Sequence, residues 1–160
     1  MGMEVHPFDR LARAIDELAA SATFDEEFFI QLGACNYSPQ HARWERFLSF
    51  GDLCERIREA SAVITHAGAG STLTCIQQGK VPIMVPRRAR DHEHVDDHQV
   101  SFTDKMCEIG YATAAREMSE LPAAITAVQG RGPTVAAPAR SSELTDWLEE
   151  FWAGLRPRGN

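Results

Sequence analysis

Apolar residues Phe8, Leu11, Ala14, Ile15 and Leu18 recur at spacings of three and four, which predicts a helix over residues 7–20 with Pro7 in its first turn. Asp9, Arg10, Arg13, Asp16 and Glu17 fall between them and read as its solvated face. Two apolar runs follow, 27–33 (EFFIQLG) and the partly alternating 44–50 (WERFLSF), and both are predicted as strands. Gly51 and Asp52 then open a helix over 53–60 whose Leu53 and Ile57 turn inward. Residues 62–65 form a short strand, 71–78 a helix ending at Gly79, and 83–85 another strand closed by Pro86. A polar stretch, 91–99, runs into a helix carrying Val100, Phe102, Met106 and Ile109. A strand over 111–115 and a helix from Leu121 to Gly130, capped by Ser119, complete the regular pattern.

Strands alternating with helices of this length are joined most simply by right-handed parallel crossovers. The predicted fold is therefore α/β, a Rossmann-like open parallel sheet flanked by helices, spanning residues 1–130. Residues 131–142, rich in Gly, Pro, Ala and Arg without periodicity, read as a linker. In 143–155 the residues Leu144, Trp147, Leu148, Phe151 and Trp152 share one face of an amphipathic helix with acids opposite. That helix packs back on the domain or docks to protein, since a lipid surface would favour Lys and Arg.

The chemistry concentrates between residues 62 and 99. Gly68 and Gly70 allow close backbone approach, and the helix they open turns unpaired N–H groups and a positive dipole end outward, a natural seat for phosphate. Ser71 and Thr72 are placed to cap that helix or to donate to the same anion. The turn is not a Walker loop, because the closing Gly-Lys-Ser/Thr is missing. Nor is it the dinucleotide fingerprint, because Leu73 stands where a third glycine belongs. His66 ends the preceding strand on the cleft side, and Arg87, Arg88 and Arg90 follow the next one, a cluster suited to one diphosphate or one partner patch.

The ordered strings THAGAGS, GKVPIMVPRR and EHVDDHQ, with HPFDRLARAID and FLSFGDLCERIREASAVITHAG ahead of them, resemble the carboxyl-terminal, nucleotide-sugar-binding domain of family 28 glycosyltransferases of the GT-B fold. The likeness is to short, split members that work beside a membrane-associated partner in exopolysaccharide or dolichol-linked sugar synthesis. It implies a UDP-sugar substrate with its diphosphate on Gly68, Gly70, Ser71, Thr72 and Arg87. Phe50 and Thr74 would meet the uracil and ribose, although a ribose-binding Glu common in GT-B enzymes is missing. Asp97, His98 and Gln99 would meet the sugar, and His66 is the one catalytic candidate, the base being expected from the partner. Glu4 and His6 lie near the cleft on the same comparison. The resemblance also implies an apolar first strand, and residues 1–7 read Met-Gly-Met-Glu-Val-His-Pro, so that strand is read as missing.

Composition narrows the alternatives. A formal net charge of −7 argues against a nucleic-acid partner, and 44% hydrophobic with 24% charged residues suits one globular domain. Cys35, Cys54, Cys75 and Cys107 form no C-x-x-C pair and read as buried thiols of a reducing compartment, so the chain is placed in the cytoplasm, at the membrane surface only through a partner. No apolar run approaches the ~18 residues of a membrane span. Three histidines near residue 94, with His66, raise a metal-dependent hydrolase as one rival, but the family needs no metal and no cofactor is expected, the UDP-sugar being a substrate. The other rival is a non-catalytic nucleotide-sugar-binding module. The leading expectation is the donor-binding subunit of a two-component inverting hexosyltransferase acting on a lipid-linked acceptor.

Overall fold

A computed structural model of the chain describes residues 7–91, 93 and 97–130. The expectations for the first strand, Glu4, His6, His92, His94, the side chain of Arg90, the linker and the helix over 143–155 lie outside what is described. The elements are α1 (Asp9–Ala20), β1 (Phe29–Gln31), β2 (Arg43–Glu45), α2 (Phe50–Glu59), β3 (Ile64–Thr65), α3 (Ala69–Gln77), β4 (Ile83–Met84), α4 (His98–Glu108), β5 (Thr113–Ala114) and α5 (Leu121–Gln129). β1 and β2 form one parallel pair with Phe29 opposite Arg43, and β3, β4 and β5 form a parallel sheet in that order. The α/β class and the parallel connectivity are as the alternation of patterns predicts.

β4 shows why its sequence is apolar at every position. Ile83 and Val85 face one core cluster, with Phe8 just ahead of α1, Leu11 and Ile15 of α1, and Leu121 and Ile125 of α5. Met84, between them, faces the other, with Ile76 of α3 and Phe102 and Met106 of α4. A strand covered by helices on both faces has no solvent side, so alternation disappears. The described helices give no segment long and apolar enough to cross a membrane.

Several boundaries depart from the pattern. Residues 44–50, predicted as one strand, divide between β2 and the start of α2. Ser49 causes the break: its hydroxyl accepts the Asp52 N–H at 3.2 Å and donates to the Asp52 carboxylate at 2.7 Å, an N-cap that begins the helix at Phe50. Ser119 does not cap α5. It lies in a 3-10 turn, Met118–Glu120, and Glu117 and Glu120 satisfy each other's backbone N–H groups in a capping box ahead of the helix. The predicted end of α3 holds: Gly79, at φ 75°, takes the left-handed position after it, with Lys80 N–H on the Cys75 carbonyl.

Asp16 corrects the reading of α1. It is 2% exposed rather than solvated, and its carboxylate accepts the backbone N–H groups of Gln40, His41 and Ala42 and the Tyr37 hydroxyl. Asp9 at the head of the same helix accepts from Asn36 and Tyr37. These two acids tie the β1–β2 connection to α1. Burial pushes the Asp16 pKa up, but the hydrogen bonds outweigh it and hold the carboxyl well below the usual range. Cys35, Cys54 and Cys75 are buried free thiols and Cys107 is half-buried; burial pushes Cys75 up to about 12, so it stays protonated and unreactive.

Asp16→Asn replaces an acceptor by a donor facing backbone N–H groups and should cost about 2–3 kcal/mol in urea denaturation. Because the folded-state pKa lies below the unfolded one, this stability is present above about pH 4 and is lost as pH falls toward the folded value. The pH dependence of unfolding between about 4 and 2 should therefore be shallower in Asp16→Asn than in the parent.

Candidate functional site

Parallel strands end at a common edge, and the chain leaves β3 there through Thr65, His66, Ala67 and Gly68 before α3 begins. Ala67 is 1% exposed and adopts φ 59°, a left-handed conformation uncommon for a residue with a side chain; its N–H donates to Thr65 Oγ1 at 3.4 Å. His66, 3% exposed, lies over the next α-carbon but one. A Cβ placed on Gly68 would stand 2.3 Å from His66 Nε2, so that position admits only glycine while the ring stays where it is.

Gly70 differs. A Cβ there would meet no atom within 4 Å, so nothing in the packing asks for glycine. Gly68 is the N-cap of α3, no side chain caps the helix, and the Ser71 hydroxyl donates to the Gly68 carbonyl at 2.9 Å. The expectation that Ser71 or Thr72 caps the helix is not met. The first helical bond runs from Thr72 N–H to the Gly68 carbonyl at 3.0 Å, which leaves the N–H groups of Ala69, Gly70 and Ser71 without acceptors inside the helix. Thr72 is fully buried and its hydroxyl has no hydrogen-bond partner among the described residues.

The next strand delivers arginines. Arg87, 1% exposed, has its guanidinium 5.3 Å from the Phe8 ring centre, and its N–H donates to Gln99 Oε1 at 3.0 Å. Arg88 is held by Asp91 at 2.7 Å and Glu117 at 2.6 Å; the Glu117 bond first, then Asp91, raises its pKa above the ordinary value against the opposing effect of burial. Glu93 is buried, and Arg10 of α1 grips its carboxylate with Nε at 2.7 Å and Nη2 at 2.8 Å. The Arg10 guanidinium lies 5.4 Å from the same Phe8 ring. This ion network, with Glu117, is invisible in the sequence pattern, because Arg10 and Glu93 stand 83 positions apart. Only the polarity of the 91–99 stretch hinted at it.

The remaining sequence candidates gather at or near the same edge. Phe50 begins α2, which lies against α3, and is 69% exposed. Thr74 is one turn into α3, its hydroxyl donating to the Gly70 carbonyl at 2.8 Å. Asp97 precedes α4 and uses its carboxylate on the Ala89 N–H at 2.9 Å rather than on the helix end. His98 is the first residue of α4 and half-buried, while Gln99 is 2% exposed, with its side-chain oxygen on Arg87. Gln99 thus bridges the β4 exit to the start of α4.

A protein-family model described as the glycosyltransferase family 28 C-terminal domain matches residues 5–150. The chain belongs to that family. No curated protein matches it. Family 28 membership makes this a glycosyltransferase domain of the GT-B Rossmann-like type with a donor-binding role. In this family 28 domain the amino terminus of α3 carries no side-chain cap and presents three backbone N–H groups without helical acceptors, an arrangement able to receive an anion.

The two glycines should respond oppositely to alanine. Gly68→Ala forces the His66 ring to move and should lose about 1–3 kcal/mol. Gly70→Ala, inside a helix and free of contacts, should be neutral or gain up to about 1 kcal/mol. Urea denaturation of the two variants beside the parent checks the contrast.

Proposed function

We propose that this family 28 domain binds a UDP-sugar with its diphosphate at the amino terminus of α3 and is the donor-binding half of a two-component inverting hexosyltransferase. The observation that carries the proposal is the uncapped helix start at Gly68 and Gly70, where three backbone N–H groups lack helical acceptors. Gly68, Gly70, Ser71, Thr72 and Arg87 are assigned to the diphosphate, Phe50 and Thr74 to the uracil and ribose, and Asp97, His98 and Gln99 to the sugar. His66 is assigned a hydrogen bond to the phosphate or to the glycosidic oxygen.

The reaction is displacement at the anomeric carbon. A hydroxyl oxygen of the acceptor attacks from the face opposite the diphosphate, the carbon–oxygen bond to the diphosphate breaks, and UDP leaves with the electron pair. The helix dipole and cationic side chains offset the charge that develops on the leaving oxygen. The acceptor proton passes to a base on a second, membrane-associated subunit that also holds the lipid-linked acceptor, as the likeness to split family members suggests. The chain alone should therefore transfer little sugar to a free acceptor.

Calorimetric titration with UDP tests the nucleotide site. UDP should bind the parent and Gly70→Ala, and Gly70→Asp, which brings a carboxylate to the helix end, should weaken binding by about tenfold or more, ~1.4 kcal/mol. Equal UDP affinity in Gly70→Asp would remove the diphosphate from α3. Robust turnover by the purified chain on a free acceptor would remove the two-component reading.

A further inference from the structure

Among the described residues β2 pairs with β1 on one side only, and its Arg43, Trp44 and Glu45 are all exposed. The Arg43 N–H donates to the Phe28 carbonyl and the Glu45 carbonyl accepts from Leu32, so both residues turn their backbone groups toward β1. In a parallel ladder the residue between them turns its N–H and C=O the other way. Trp44 therefore offers one donor and one acceptor along the open side of the strand.

That open edge is short because the chain is committed elsewhere on both sides of it. The N–H groups of Gln40, His41 and Ala42 go to the Asp16 carboxylate, and the Arg46 carbonyl accepts from Gly33. A short edge does not template open-ended strand addition, and one partner strand satisfies it.

The side chains make this strand complementary to itself. Run antiparallel against a second Arg-Trp-Glu, each Trp44 lies opposite the Trp44 of the other copy, at a position where the two residues exchange both backbone bonds. Each Arg43 then lies opposite Glu45 of the other copy, at the closer, non-hydrogen-bonded positions on either side, where side chains meet. Backbone and charge select the same register, since only Trp44 has outward backbone groups within the strand. The present partners of the two charged residues, Glu27 at 3.1 Å from Arg43 and Arg56 at 4.0 Å from Glu45, are exposed surface pairs that compete little. The two exposed indoles cover each other on the opposite face, the face that Ile30 shares. A formal charge of −7 on each copy opposes association, but at about 0.15 M salt the screening length is about 8 Å and the charges at the contact decide.

We propose that β2 is a self-association surface, through which two copies of this chain pair antiparallel about a two-fold axis at Trp44. The contact is the same patch on both copies, so it closes on a dimer and goes no further. It extends the β1–β2 pair into a sheet in the order β1, β2, then β2 and β1 of the second copy.

Sedimentation equilibrium at about 0.15 M salt, over protein concentrations of about 5–500 µM, reads the association. The parent should be dimeric at the upper end and dissociate on dilution. Arg43→Glu and Glu45→Arg each set like charges opposite one another and should weaken the dimer by about tenfold or more. An equimolar mixture of the two variants brings opposite charges together again at both ends of the contact, and it should dimerise as the parent does. By NMR, the Trp44 amide should exchange more slowly in the dimeric parent than in Arg43→Glu at the same concentration, by about tenfold or more. A parent that stays monomeric throughout, variants that associate as the parent does, a mixture that fails to recover the dimer, or equal Trp44 exchange would each overturn the proposal.

Discussion

Because His66 folds back over Gly68, the chain between β3 and α3 has no room for a side chain on that α-carbon. Ala67 takes the left-handed conformation just before it, and a buried, hydrogen-bonded turn holds a residue there that would otherwise avoid that region. The reversal aims α3 so that its amino terminus stands at the carboxyl edge of the sheet. Ser71 then turns its hydroxyl to the Gly68 carbonyl instead of capping, and the first N–H groups of the helix remain directed outward. In that local geometry one glycine is demanded by packing and the other is not.

Two buried acids shape the surroundings by different means. Asp16 is satisfied by backbone N–H groups and a tyrosine, so it holds a loop without any cation. Glu93 is satisfied by the fork of Arg10, so it ties the segment after β4 to the first helix. A buried carboxylate stripped of its partners costs several kcal/mol, which makes each tie close to all-or-none. Phe8 lies near both Arg10 and Arg87, so the entry to α1 and the exit of β4 share one aromatic surface.

The sheet is unequal in its two parts. β4 is enclosed on both faces and paired on both edges, and its Ile83 and Met84, with the following Val85, are fully buried. β2 is exposed along its length, with Trp44 40% exposed. The candidate site lies at the carboxyl ends of β3 and β4, the better packed part, which gives the backbone donors there a rigid support. The β1–β2 pair is a sheet of its own, joined to the rest through the Asp9 and Asp16 ties and through Ile30 and Leu32 in the shared core.

Periodicity along the chain was enough to read the α/β alternation, because apolar spacing of three to four or of one to two reports directly on helix or strand. The glycine turn was legible too, since Gly68, Gly70 and the following helix lie within a few residues, and the strings around it carried the family. Spacing could not show that Phe50 begins a helix, because the Ser49 cap competes with an apolar run that looks like a strand. Nor could it tell the demanding glycine from the undemanding one, reveal Asp16 as buried, or pair Arg10 with Glu93. Each of those depends on which atoms are packed across from a residue, and that is settled only when distant segments meet and water is excluded between them.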